Sequence, residues 1–274
     1  MTSKFKVFIF LSISHFISLL GSAMTRFGLG VFAFQETGQV FNFALVLVFG
    51  FLPGIILSPL AGVWIDRKGP RLLLLVGNMI GTVAIFSASM LIITTNLNMW
   101  QIMIITSALS CVSALQSPAL HTLVPMLIPE GSMSRANGIL STVTSASDVL
   151  GPVTGGILIA FSGLTLIIFI DLLTYIIVLI TILMLWTKLS VSLNEQSRDQ
   201  DNVINNTWSR DFKDGFSYLT NNKPLFHLVL LFTCLNMAMG FHSVLGQPYI
   251  LSIGTVQDYG MLSSLFGLGM VIGD

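Results

Sequence analysis

The chain has 274 residues, of which 54% are hydrophobic and only 9% are charged, and its formal net charge is zero. Soluble domains carry about 25% charged residues, so the composition excludes an ordinary soluble protein and favours one that lies in a lipid bilayer. No basic stripe indicates nucleic-acid binding. The four histidines form no pair at metal-ligand spacing, so no metal site is predicted.

Long apolar stretches follow one another along the chain. A bilayer core requires about 20 apolar residues per helix. Seven stretches meet this requirement, and an eighth begins near Tyr259 and reaches Asp274. A cleavable signal peptide is not favoured, because apolar character continues well past Ala23 and further spans follow. The sequence therefore predicts an all-α integral membrane protein, with spans at 7–34, 41–65, 72–95, 100–120, 136–161, 165–186 and 225–250.

The basic residues predict the orientation of these spans. Lys and Arg accumulate before span one and after spans two, four and six, whereas the loops at 35–40, 96–99 and 162–164 contain neither. Cytoplasmic loops are enriched in Lys and Arg. We therefore expect a multi-pass protein of the plasma or inner membrane with a cytoplasmic N-terminus. Among the Lys and Arg residues, only Arg26 lies inside a predicted span.

One long polar segment divides the chain. Residues 188–224 are rich in Asn, Gln, Ser and Asp, which is typical of a flexible linker. Near its end, Phe212, Phe216 and Leu219 recur at helical spacing among charged residues, which predicts a short amphipathic helix at the membrane surface. The predicted organisation is a six-span bundle at 1–187, a cytoplasmic linker at 188–224, and the beginning of a second bundle at 225–274.

A charged turn joins spans two and three, where charge is otherwise scarce. Its sequence, from Gly62 to Arg71, resembles the loop motif of the major facilitator superfamily, Gly-x-x-x-Asp-Arg-x-Gly-Arg-Arg. The matching residues are Gly62, Asp66, Arg67, Gly69 and Arg71, and Pro70 stands where a basic residue is usual. Gly62 would permit close helix contact, and Gly69 with Pro70 would force the turn. The resemblance implies a gating role, in which Asp66 faces a helix N-terminus of the opposite bundle.

A second pattern lies in span five. It resembles the family's antiporter motif, Gly-x8-Gly-x3-Gly-Pro-x2-Gly-Gly, with Ser147 in place of the second glycine. The matching residues are Gly138, Gly151, Pro152, Gly155 and Gly156. In the family this motif marks exporters driven by proton exchange. Generic packing of small residues against a neighbouring helix is the alternative explanation of the same pattern.

The resemblance extends over nearly the whole chain and is strongest to the branch of macrolide-efflux and enterobactin-exporter-type carriers. Segments such as Leu52-Pro53-Gly54, Gln116-Ser117-Pro118-Ala119 and Ile170-Asp171 carry it. It implies the major facilitator fold and proton-coupled efflux of amphipathic small molecules by alternating access, without a cofactor. The family's Arg in span four is absent, since Leu109 stands at that place. No nucleophile–base pair or phosphate loop indicates an enzyme.

Three charged residues remain within the spans, namely Arg26, Asp148 and Asp171. A charge at the bilayer centre costs about 2.5–3.5 kcal/mol on insertion scales, so we expect all three to face the bundle interior and to find partners. One interpretation is a buried ion pair that holds the bundle together. The other treats all three as candidates for the coupling pathway and favours Asp148 as the proton-coupling residue, because burial favours the protonated form of a carboxylate.

A different hypothesis treats the chain as a protein that does not transport alone. Family members need about twelve spans, whereas this sequence reaches Asp274 within its eighth, and a stub of that length hardly crosses a bilayer. A truncated fragment, or a half-size membrane protein that acts by assembly with a partner, is the corresponding expectation.

Overall fold

The structure is a computed structural model that describes residues 3–94, 97–128, 130–196, 217–255, 258–259, 261–262 and 265. Within these ranges the long elements are helices, and a short 3-10 turn at Glu130–Ser132 precedes the fifth. The helices are α1 (Ser3–Thr37), α2 (Val40–Lys68), α3 (Pro70–Thr94), α4 (Met99–Leu127), α5 (Met133–Gln196) and α6 (Lys223–Ile253).

Each of these helices contains a stretch that is long and apolar enough to cross a membrane. The stretch in α5, Met133–Trp186, has 54 residues and would be about 81 Å long at 1.5 Å per residue, far more than a bilayer core of about 30 Å. The helix is broken at Gly163, whose φ of 70° and ψ of −171° are not helical. We call residues 133–162 the first arm of α5 and residues 164–196 its second arm.

The first arm of α5 runs parallel to α1. A side chain added at Gly151 would collide with Ala23, and one added at Gly155 would meet Phe27 Cδ1 at 3.1 Å. Sequence numbers therefore rise together along the two helices. The absence of side chains at these glycines allows the close approach.

The second arm of α5 runs antiparallel to α1. Near one end, Ser14 Oγ lies 3.2 Å from Thr181 Oγ1. Near the other end, a Cβ at Gly28 would be 2.8 Å from Leu164 Cδ1. The two arms therefore point in opposite directions, and α5 crosses the bilayer twice. With the five other helices this makes seven passes in the described part of the chain, which confirms the predicted all-α membrane architecture.

The remaining helices pack around this centre. α2 packs on α4, and α3 packs on α4 and on α5. At Gly54 the backbone N–H donates to Ser110 Oγ at 2.9 Å, so α2 and α4 approach closely there. On the other side of the bundle, Asn78 Nδ2 donates to the Tyr175 carbonyl at 3.0 Å and ties α3 to the second arm.

A single residue separates α2 from α3. Gly69 has a φ of 80°, a conformation that side chains rarely adopt, and its N–H donates to the Ile65 carbonyl. Pro70 then begins α3, where its missing N–H leaves no helical hydrogen bond unmade. The structure thus shows Gly69 and Pro70 forming the turn that the sequence predicts.

The segment after the polar stretch is less enclosed than the rest. Residues 217–221 are helical, and α6 follows and contacts α2. The described side chains of α6 are largely exposed to the surroundings. Phe212 and Phe216, most of the linker and most of the predicted eighth span lie outside the described residues, so the predicted division into 1–187, 188–224 and 225–274 stays a prediction.

Candidate functional site

A cavity of about 280 Å³ opens between four helices. Its volume is near the lower limit of roughly 300 Å³ for small-molecule sites. Most of its wall is apolar, and its polar atoms come mainly from α1, α4 and the first arm of α5. The lining residues are Leu19, Ala23, Arg26, Phe27, Phe43, Val46, Leu47, Gly50, Phe51, Thr106, Thr144, Ser147, Asp148, Pro152 and Tyr259.

Aromatic side chains form much of the wall. Phe43 is fully buried, with 1% of its surface exposed, whereas Phe51 is 63% exposed. Tyr259, from the segment after α6, stacks on Phe27 of α1 with ring centroids 5.6 Å apart and an interplanar angle of 10°. The cavity is therefore bounded by α1, α2, α4 and the first arm of α5, and by the segment that follows α6.

Two of the three intramembrane charges line this cavity. Asp148 is exposed and Arg26 is half-buried. The Arg26 side chain donates from Nε to the Ser22 carbonyl at 3.4 Å and from Nη1 to Ser113 Oγ at 3.5 Å. Both distances exceed the usual 2.7–3.2 Å for N–H···O bonds. The hydrogen bonds of Arg26 thus go to neutral oxygens rather than to Asp148 or Asp171. The structure therefore does not support the interpretation that a buried ion pair holds this part of the bundle together.

The third charge, Asp171, lies elsewhere. Its side chain is completely buried between the second arm of α5 and α1, and it is not among the cavity-lining residues. Its oxygen Oδ1 accepts from Ser22 Oγ at 3.4 Å and from Thr174 Oγ1 at 3.3 Å. Asp171 therefore faces the bundle interior as expected, whereas Asp148 faces an open cavity.

The residues of the antiporter-like motif do not share one environment. Gly151, Gly155 and Gly156 are buried, and the first two face α1. Pro152 lines the cavity. Gly138 is different, because a Cβ there would meet no described atom within 4 Å. Helix packing thus accounts for Gly151 and Gly155 and does not account for Gly138.

The charged turn is anchored through Arg71. Its guanidinium lies 3.9 Å from the centroid of the Trp186 ring, and Nη1 donates to the Trp186 carbonyl at 3.2 Å. This ties the beginning of α3 to the second arm of α5. Arg67 is exposed, and the side chain of Asp66 lies outside the described residues, so its gating role stays a prediction.

Gly62 has no close neighbour in the described part of the chain. A Cβ built on Gly62 would meet no described atom within 4 Å. No described helix approaches this glycine closely, so the role of Gly62 in close helix contact stays a prediction.

Sequence reasoning missed most of the cavity wall. Thr106, Thr144 and Phe43 line it, yet each lies in a stretch that is apolar or weakly polar on every face. The sequence indicated the cavity only through Arg26 of α1 and Asp148 of the first arm of α5, two charged residues that line it.

Comparisons with known proteins agree with this architecture. The family model of the Major Facilitator Superfamily matches residues 11–273. Macrolide efflux protein A of Streptococcus pyogenes is 26% identical over 217 residues, which are 79% of this chain and 52% of that protein. Macrolide efflux protein A of Enterococcus faecalis is 28% identical over 184 residues, 67% of this chain and 55% of that protein.

A third relative has no activity in its name. The uncharacterized MFS-type transporter YfiS of Bacillus subtilis is 27% identical over 128 residues, 47% of this chain and 30% of that protein. The chain spans about half the length of the macrolide-efflux relatives that it matches. The family match covers nearly all of its residues and agrees with the all-helical, multi-pass fold. This chain belongs to the major facilitator superfamily.

Proposed function

We propose that this protein exports amphipathic small molecules, with macrolide-like drugs as the first candidates and siderophore-like compounds as the second. The observation that supports this best is the cavity between α1, α2, α4 and the first arm of α5, which combines aromatic walls with Arg26 and Asp148. An apolar pocket with a few convergent polar groups is the usual form of a small-molecule site. The names of the two macrolide efflux relatives point to the same cargo.

Transport would proceed by alternating access, in which two helical bundles rock around a site near the midplane. The stacking of Tyr259 on Phe27 supports this proposal, because it joins α1 to the segment after α6 beside the cavity. A rocking motion would separate these two rings and change the opening of the cavity.

Protons are the proposed coupling ion, and Asp148 is the proposed coupling residue. Its carboxylate faces the cavity, where substrate and protons from water can both reach it. Arg26 lines the same cavity and is not held by a strong hydrogen bond. An approaching substrate or proton can therefore change which groups the two charges contact.

The experiment that tests export is a measurement of macrolide accumulation in cells. The protein is expressed in its natural length in a bacterial host that lacks its own macrolide pumps, and a radiolabelled macrolide is added. We expect lower accumulation than in cells with an empty vector, and we expect the difference to vanish when a protonophore collapses the proton gradient. Equal accumulation with and without the protein, at verified membrane expression, would contradict the proposal.

A further inference from the structure

Asp171 occupies a closely packed contact between two helices. None of its side-chain surface is exposed. A Cβ added at Gly21 of α1 would lie 2.6 Å from Asp171 Oδ1 and 2.7 Å from Thr174 Oγ1. The carboxyl group thus fills the space that this glycine leaves, and little room remains beside it for a further atom.

The groups in contact with this carboxyl are neutral hydroxyls. Ser22 and Thr174 donate to Oδ1, and Ser22 Oγ also lies 3.1 Å from the Tyr175 hydroxyl. Their distances to Oδ1, 3.4 and 3.3 Å, exceed the 2.5–2.7 Å typical of hydroxyl bonds to an ionised carboxylate. The arrangement therefore lacks the short, charge-assisted bonds that stabilise a buried anion.

Charged and titratable groups near Asp171 are few among the described residues. α1 contributes Arg26, whose positive charge interacts electrostatically with Asp171. The hydrogen bonds of Arg26 go to Ser22 and Ser113. The second arm contributes Tyr175, and α3 contributes the neutral Asn78, which bonds the Tyr175 carbonyl. An ionised Asp171 would thus be a buried charge without a cation in contact, which is costly in a low-dielectric interior.

Two unpaired polar atoms lie at the same place. Thr25 is completely buried, and it lies four residues beyond Gly21 on the face of α1 that meets Asp171. Within the described part of the chain, Thr25 Oγ1 and Asp171 Oδ2 each have no hydrogen-bond partner. A hydroxyl can donate or accept, so one hydrogen bond between Thr25 Oγ1 and Asp171 Oδ2 would satisfy both atoms in either state of the carboxyl group. A proton on Oδ2 allows this bond without the cost of a buried charge.

The charges inside the spans support the same conclusion. Arg26 contributes one positive charge, and Asp148 and Asp171 contribute one negative charge each, so their sum is negative when all are ionised. One monovalent cation restores neutrality. Because the packing at Gly21 leaves little space, a proton fits better than a metal ion that needs several oxygens around it.

We propose that Asp171 is a proton-binding site in which the proton, taken from water, is bonded to Oδ2 and hydrogen-bonded to Thr25 Oγ1. This site is separate from the cavity and from Asp148. It goes beyond the proposed export, because the buried carboxyl would hold its proton whether or not a substrate is transported.

Infrared spectroscopy of the purified protein tests this proposal directly. Aspartate residues labelled with carbon-13 at the carboxyl group should show a C=O band of a protonated acid at neutral pH, and this band should shift in D₂O. We expect Asp171→Asn to remove the band and Asp148→Asn to leave it. Thr25→Val should shift the band, whereas Thr25→Ser, which keeps the hydroxyl, should restore its position.

Several outcomes would overturn the proposal. One is the absence of a protonated-acid band in the unmodified protein, a measurement that requires no variant to fold. A second is a band that Asp148→Asn removes and Asp171→Asn leaves. A third is a band that sodium ions abolish and potassium ions do not, since this would make the site a sodium site. A band that Thr25→Val leaves unchanged would exclude Thr25 as the acceptor. Transport is not a readout, so failure here is distinguishable from failure of the export proposal.

Discussion

Gly151→Ala is expected to destabilise the protein by about 1–3 kcal/mol, the usual cost of overpacking a well-packed core. The added Cβ would collide with the Cβ of Ala23 on α1. Both atoms are fixed to helix backbones, so no change of rotamer relieves the contact, and α1 must move away from the first arm of α5. Thermal unfolding of the detergent-purified protein measures the effect.

The same arm of α5 offers a matched control. Gly138→Ala adds the same methyl group where no described atom lies within 4 Å, and glycine-to-alanine changes at compatible sites stabilise by about 0.4–1 kcal/mol. We therefore expect shifts of opposite sign. Ala23→Gly should rescue the Gly151→Ala variant, because it removes the colliding atom. Equal effects at positions 138 and 151, or no rescue, would show that the glycine contact with α1 is not as described.

Asp148→Asn is expected to abolish proton-coupled export, the largest functional effect that the proposed mechanism predicts. The amide is similar in size and cannot gain or lose a proton, and the change removes a negative charge from a cavity that also contains Arg26. In proteoliposomes, an imposed macrolide gradient should drive proton movement with the unmodified protein and should fail to do so with the variant. Asp148→Glu, which keeps the carboxylate, should retain measurable coupling.

The matched control replaces a carboxylate outside the cavity. Glu36 is exposed near the end of α1 and is not among the cavity-lining residues, so Glu36→Gln should leave drug-driven proton movement intact. Proton movement that persists in Asp148→Asn would rule out Asp148 as the coupling residue. Export itself would still be testable by accumulation.

The transmembrane passes could be predicted from the sequence, because each helix that crosses a bilayer needs about 20 apolar residues. The break in α5 was also accessible, since Ser162-Gly163-Leu164 interrupts 54 residues that one pass cannot contain. The turn at Gly69 and Pro70 was predictable for a local reason, because few other residues adopt its backbone conformation.

The faces of the helices could not be predicted in the same way. Phe41 and Phe43 lie two residues apart in α2, yet Phe41 is 68% exposed and Phe43 is 1% exposed. In a soluble protein the outward side chain would be polar, but in a bilayer both faces are apolar. The sequence therefore does not distinguish a lipid-facing Phe from one that lines a cavity.

The candidate site was predicted only in part for the same reason. Arg26 and Asp148 were identifiable, because any charge in a span requires an explanation. The sequence did not show that Asp171 lies apart from these two residues, because this depends on which face of each arm of α5 meets α1. The different environments of Gly138 and Gly151 likewise follow from tertiary packing, and no local pattern distinguishes them.

If the cavity beside Asp148 binds the transported molecule, a bound macrolide will protect a cysteine in the cavity wall from chemical labelling. Thr144 and Thr142 are both exposed on the first arm of α5, and of these two only Thr144 lines the cavity. The chain has two cysteines, Cys111 and Cys234, and both are first replaced by serine. Thr144 or Thr142 is then changed to cysteine, and labelling by a maleimide is timed with and without macrolide.

We expect macrolide to slow the labelling of the Thr144→Cys protein and to leave the labelling rate of the Thr142→Cys protein unchanged. Unchanged labelling of Thr144→Cys, at a macrolide concentration that the same protein exports, would contradict the claim that this cavity is the substrate site.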